Sequence, residues 1–214
     1  MIDATARAKG GYLLLALPLA CALALAACAH HRGATPDWRT IARHKDIEGL
    51  RDWRASWVSA LDNARSRGNG AAIAAEGALL DPDAGLNDPT PPAGDYRCRT
   101  IRFGTGTGTT TGFAVSPAAK CRLKDLGDAT LGVAVLEGTQ RPIGRIYPGE
   151  GSRLTFLGAL ELGDESRPFS YGLDVGRDLI GFAERIGPAR WRLDIPHPPF
   201  GGAFEVIELI PERG

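Results

Sequence analysis

The chain changes rhythm near residue 95. Before it, apolar residues recur every three or four positions, as they do along one face of a helix. Trp38, Ile41 and Ala42 share such a face, and Leu50, Trp53, Trp57, Ala60, Leu61 and Ala64 form a longer stripe. Arg51, Asp52, Arg54, Asp62 and Arg65 occupy the other faces of that stretch. Thr35 ahead of Pro36 marks a helix start, Asp46 caps a second helix and Gly68 stops it. A shorter third stretch runs over Ala71–Leu79. The segment "DPDAGLNDPTPPAGD" then breaks every period and reads as an ordered connection.

From Tyr96 onward the pattern is short alternating runs punctuated by turns. The strands predicted are Tyr96–Phe103, Gly112–Ser116, Lys120–Lys124, Ala129–Glu137, Gln140–Tyr147, Arg153–Glu161, Phe169–Asp174, Leu179–Arg185, Ala189–Asp194 and Phe204–Ile210. Strands at regular spacing with no helices between them argue an antiparallel barrel or sandwich. Glycines inside the strands, at 132, 144, 158 and 172, suit the bends of a closed barrel. The fold class is therefore α+β and mainly β. We expect a calycin-like antiparallel barrel of about eight to ten strands, preceded by two or three N-terminal helices. Trp38, Trp53 and Trp57 clamp the helical arm onto the barrel in this reading, and Trp191, alternating with Leu193, faces its core.

The N-terminus adds a location. Arg7 and Lys9 precede an apolar run from Tyr12 to Ala27 that ends in Leu25-Ala26-Ala27-Cys28. A basic start, an apolar middle and small residues before a cysteine are the logic of a bacterial lipoprotein signal. At about 16 residues the run falls short of the ~20 helical residues that span a bilayer. Cys21 is the rival lipid site, but Pro18 stands where Leu25 stands for Cys28. The expected organisation is a signal over 1–27, a tether over 28–36, a helical arm and connection over 37–95 and a barrel over 96–211. The protein would be anchored through Cys28 to the cell envelope and face the periplasm. Ala29 after the lipid cysteine, with no Asp there, points to the outer membrane.

Cleavage before Cys28 removes Asp3, Arg7 and Lys9 and leaves 23 basic and 24 acidic residues. With no basic excess to hold phosphates, nucleic-acid binding is excluded as an expectation. One cysteine pair, Cys98 and Cys121, remains for an oxidising compartment. Both are flanked by cations, Arg97 and Arg99 on one side and Lys120 and Arg122 on the other, which lower a thiol pKa when they face it. In a strand, however, neighbours point to opposite faces. The pair therefore reads as a structural disulfide across a hairpin centred between Thr109 and Thr110, in the "GTGTGTTTG" stretch. Directly opposed residues there lie within bonding range.

Chemistry is sparse. His30 and His31 sit in the tether, His44 on a helix and His197 in the loop "IPHPPFGG". No metal-ligand spacing and no nucleophile-elbow motif appears, so no metal, cofactor or catalytic residue is assigned. Ser152 in "PGEGSRL" is two residues off that elbow. The glycine-rich 104–112 stretch lacks the lysine and helix of a phosphate loop. The acids Glu137, Asp174, Asp178, Glu184, Asp194, Glu205 and Glu208 pair with nearby arginines on the barrel exterior in this reading. Tyr147, Tyr171, His197 and Phe200, aromatic or polar near turns, are the candidate rim residues for a ligand or partner.

The segments "PPAGDYRCRT", "KCRL", "RPIGRIYPG", "RLTFLGAL", "RDLIGFAERIG", "RWRLDIPHP" and "EVIELIP" occur in an order that resembles a family of exported proteobacterial proteins, domain of unknown function 4893. The resemblance runs from about Trp38 to Pro211. It implies a shared fold and an envelope location, and brings no activity or site residues. The expected function is binding, either of a small apolar ligand in the barrel or of an envelope protein at its rim. The alternatives are a periplasmic hydrolase acting on glycan or peptide, with two converging acids or Ser152 near His197, and an inhibitor or assembly accessory that presents a loop.

Overall fold

The computed structural model describes residues 35–104, 112–163, 165 and 170–212. The expected signal, Cys28 as the expected lipid site, all but the end of the expected tether and residues 105–111 lie outside the described residues.

Nine strands follow a helical arm. They are β1 (Gly94–Gly104), β2 (Phe113–Val115), β3 (Ala119–Asp125), β4 (Leu131–Val135), β5 (Gln140–Tyr147), β6 (Arg153–Leu162), β7 (Asp178–Gly187), β8 (Arg190–Pro196) and β9 (Gly202–Pro211). From β3 to β9 each strand pairs antiparallel with the next, and β9 returns to pair with β1 along its whole length. The other edge of β1 is shared. Its first half pairs with β3 and its second half with β2. The result is a closed antiparallel barrel of eight staves, with β2 and β3 occupying one stave in succession. Closure leaves no long open edge to pair with other chains. We call the end where β1, β4, β6 and β8 finish the upper end.

The barrel is filled over most of its length. Tyr96, Leu123, Ile146, Phe156, Leu160, Leu179, Trp191, Leu193, Ile207 and Leu209 point inward and are buried together. An eight-stranded barrel is just wide enough for side chains to do this. Gly144 and Gly158 oppose each other on β5 and β6. A Cβ on Gly144 would lie 2.4 Å from the Leu157 carbonyl oxygen and 2.6 Å from the Phe156 ring. Two bare positions therefore make room for one large ring.

The arm covers the outside of β1, β7, β8 and β9. It comprises α1 (His44–Arg51), α2 (Trp53–Ala64) and α3 (Gly70–Ala75), with 3-10 turns at Trp38–Thr40 and Gly77–Leu80. Trp57 stacks on Phe204 at 4.8 Å between ring centroids, and Trp53 meets Phe182 edge-on at 5.8 Å. Beneath the arm lies a buried ionic cluster. Arg192, wholly buried, donates to Glu184 Oε2 and to the carbonyls of Ala78, Leu79 and Asp81 at 3.0, 3.2 and 2.7 Å. Those of Ala78 and Leu79 lie in the last turn of the arm, and that of Asp81, just past it, also accepts from Ala84 N–H at 3.2 Å. One guanidinium thus fastens the arm to the barrel wall.

Several local expectations are revised. The first turn is capped by Asp37, whose side chain accepts from Arg39 N–H, and not by Thr35. Asp46 caps nothing; it pairs with Arg43 inside the first turn of α1. Asp52 breaks the long stripe into α1 and α2, and Gly68, at φ 90°, kinks the arm instead of ending it. Of the predicted strand Phe169–Asp174, the described residues 170–174 form a turn.

Cys98 and Cys121 form a disulfide with Cα atoms 6.0 Å apart. Their pairing is diagonal, since Cys98 opposes Ala119 and Tyr96 opposes Cys121. The β1–β3 register is therefore two residues away from the direct opposition expected. Both sulfurs belong to the barrel interior, and the flanking cations alternate to the other face.

Candidate functional site

Three side chains depart from the rule that large apolar groups are covered. Leu173 is 72 % exposed, Val175 68 % and Phe200 63 %, the highest values for large apolar residues among those described. All three sit in two upper-end loops, one entering β7 and the other joining β8 to β9. Between these loops and the start of α1 runs a groove of about 460 Å³. Val175, Pro196 and Pro199 form its apolar walls, Arg43 and Asp178 its floor, and Lys45 and His197 its edges.

The floor is a closed ionic lattice. Arg43 reaches Asp46 at 2.8 Å and Asp178 at 3.0 Å. The Tyr171 hydroxyl donates to the Asp46 carboxylate and accepts from Arg43 N–H at 3.0 Å. Asp178 in turn accepts from Gly172 N–H at 2.8 Å. Burial pushes the Asp178 carboxyl above its usual range, against the pull of Arg43. These bonds tie the 171–177 loop to α1, so the exposed Leu173 and Val175 stand on an anchored frame.

The second loop is held as firmly. His197 and Phe200 adopt φ 51° and 62°, a left-handed conformation that costs a non-glycine residue about 1–2 kcal/mol. Surrounding contacts hold this strain. His197 N–H donates to the Ala203 carbonyl at 3.2 Å, and its Nε2 shares a 3.2 Å hydrogen bond with Ser56 Oγ on α2. Gly202 leaves space for Pro198, whose Cγ would lie 2.4 Å from a Cβ there. Phe200 is thereby presented to solvent from a fixed backbone.

The four rim candidates divide. His197 lines this groove, Tyr171 bonds to its Arg43 and Asp46, and Phe200 follows its Pro199 along the chain. Tyr147 stands apart: it lies at the lower end, turned outward and buried with Trp38, Leu50, Leu157 and Ile180. Its neighbour Ile146 takes the inward position, which fixes Tyr147 to the outer face. Ser152 precedes β6 at the lower end and His197 follows β8 at the upper, so the two do not form a catalytic pair. Glu184 and Asp194 do come close, as diagonal neighbours on β7 and β8. Both are fully buried beneath the arm, and Arg153 and Arg192 hold Glu184. Substrate has no access to them.

The Arg43, Asp46, Asp178 lattice and the exposed Leu173 and Val175 were missed in the sequence. The signal was present in "YGLDVGRD", where two apolar residues alternate between turn-forming glycines, and it resembled the end of a strand. Among the described residues, no three His, Cys, Asp or Glu side chains stand together as a metal site.

No curated protein matches the chain. A solved structure described as a redesigned beta barrel is similar at 10 % identity and a TM-score of 0.38, over 58 % of this chain and 93 % of that one, too slight a likeness to argue from. The family model described as Domain of unknown function (DUF4893) matches residues 38–209, and the chain belongs to that family.

Proposed function

We propose that this protein is a lipid-anchored binding protein of the bacterial cell envelope, facing the periplasm from the outer membrane, that docks another envelope protein in its upper-end groove. The barrel is in this reading a calycin-like body whose packed interior leaves recognition to its rim. One observation carries the proposal: the most exposed large apolar side chains gather on two anchored loops beside one groove, which Val175 lines, while the barrel is packed below its upper mouth. Contiguous exposed apolar surface rimmed by polar groups marks protein interaction sites. Anchored loops reduce the entropy lost on docking, and an exposed aromatic suits a central contact. Lys45 and His197 at the edge favour a partner segment that carries an acidic residue beside its apolar ones.

Two experiments test the two halves. Metabolic labelling with a palmitate analogue is expected to mark the wild-type chain and not Cys28→Ser; equal labelling of both refutes the anchor. Native gel mobility of the membrane-extracted protein tests docking. The triple variant Leu173→Ser, Val175→Ser, Phe200→Ser is expected to run as the free protein while the wild type runs in a larger complex. Identical mobility of the two, with the variant folded by circular dichroism, refutes the groove.

A further inference from the structure

The packed interior stops short of the upper end on the side away from the partner groove. Beyond Cys98 the inward positions of β1 are Thr100 and Arg102; Ala114 on β2 faces Arg102, and Ala119 on β3 faces Cys98. Small side chains there leave an opening of about 530 Å³ between β2 and the β4–β5 hairpin. Its size matches a site for one small molecule. Ala114, Ala119 and Val135 give apolar walls, with Thr100 and Arg102 among the polar lining.

Arg102 is the one cation there. Its side chain is 35 % exposed, whereas that of its partner Glu205, on the inward face of β9, is 2 % exposed. Glu205 accepts from Nε and Nη2, and Gln140 accepts from Nη1. A guanidinium carries five N–H groups, so one on Nη1 and one on Nη2 remain. A second carboxylate is the acceptor that fits such a pair, by a charge-assisted fork. Glu137, also in the lining, opposes further negative charge. The ligand this chemistry selects carries one acidic group on an apolar body.

We propose that the barrel mouth is a binding site for a small monocarboxylate amphiphile, its head on Arg102 and its apolar body against Ala114, Ala119 and Val135. The site is separate from the partner groove and stands without it. Burial holds the Glu205 carboxyl above its usual range.

Isothermal titration of the full chain carrying Cys28→Ser tests this with decanoate, decanol and decyltrimethylammonium as probes. Decanoate is expected to bind at least about tenfold more tightly than either control, the difference one charge-assisted hydrogen bond supplies. Arg102→Gln with Glu205→Gln, which leaves no orphan charge, is expected to erase that preference. Ala119→Trp, which fills the opening, is expected to abolish binding while the thermal midpoint stays within a few degrees. Decanol binding as tightly as decanoate, an absence of decanoate binding, or binding unchanged in Ala119→Trp overturns the proposal.

Discussion

Arg192 and Glu184 face each other across the β7–β8 ladder, both withdrawn completely from water, with Nη2 and Oε2 2.5 Å apart. The Trp57 ring covers the guanidinium, its centroid 4.4 Å from Cζ. Breaking such a pair from one side is more damaging than replacing both partners, because a buried charge is left behind. Arg192→Met removes the carbonyl clamp on the arm and strips Glu184 of one of its two cations. A loss of about 3–5 kcal/mol in chemical denaturation is expected, with faster amide exchange over residues 77–86. Double replacement by Arg192→Met and Glu184→Leu is expected to recover part of that loss.

Asp194, next to this pair, gives the fold a pH dependence. Burial, reinforced by the Glu184 carboxylate, pushes its pKa up to about 8. An unfolded Asp titrates near 3.9. Between about pH 4 and pH 8 the native state therefore holds a proton that the unfolded state has released, so stability falls as pH rises and levels off above pH 8. Asp194→Asn is expected to remove this slope and to be more stable than wild type at pH 8. Urea midpoints from pH 5 to 9 measure both.

The Cys98–Cys121 bond closes a 23-residue separation. In the chain-entropy account its removal costs about 3 kcal/mol. Cys98→Ala with Cys121→Ala is expected to lower the denaturation midpoint accordingly, without changing the native circular dichroism. Thiol titration of the untreated mature chain in denaturant is expected to find no free sulfhydryl at these two positions.

Gly144→Ala tests the inside of the wall. The added methyl meets a carbonyl oxygen and the Phe156 ring at distances no Cβ tolerates. Destabilisation by about 1–3 kcal/mol is expected, as for an overpacked core. Gly138→Ala, where nothing lies within 4 Å of the new methyl, is the turn control, its cost arising from the φ of 107°.

Where one face of a strand meets water, its inward face was legible in the sequence. Cys98 and Cys121 alternate with cations, and their inward orientation follows from that alone. Where both faces are buried, the alternation vanishes. In β9, Phe204 and Val206 pack under the arm while Ile207 and Leu209 fill the barrel. Glu205 and Glu208 then look alike, although one points inward to Arg102 and the other outward to Arg99 and Arg190. Ile146 and Tyr147 present the same ambiguity, which put Tyr147 on the wrong part of the molecule. The groove was half legible. The turn residues around His197 and Phe200 announced a loop, but its partner loop and the Arg43 lattice depend on contacts 125 or more positions apart along the chain, between Asp46 and Tyr171 and between Arg43 and Tyr171.

The central claim is that the upper-end groove is where another envelope protein docks. Photo-crosslinking in intact cells measures it directly, with a benzophenone amino acid placed in turn at Val175, Phe200 and Leu126, an exposed lower-end residue. The account predicts one and the same protein adduct from Val175 and Phe200 and none from Leu126. An adduct pattern shared by all three positions, or no adduct from the two groove positions, would contradict it.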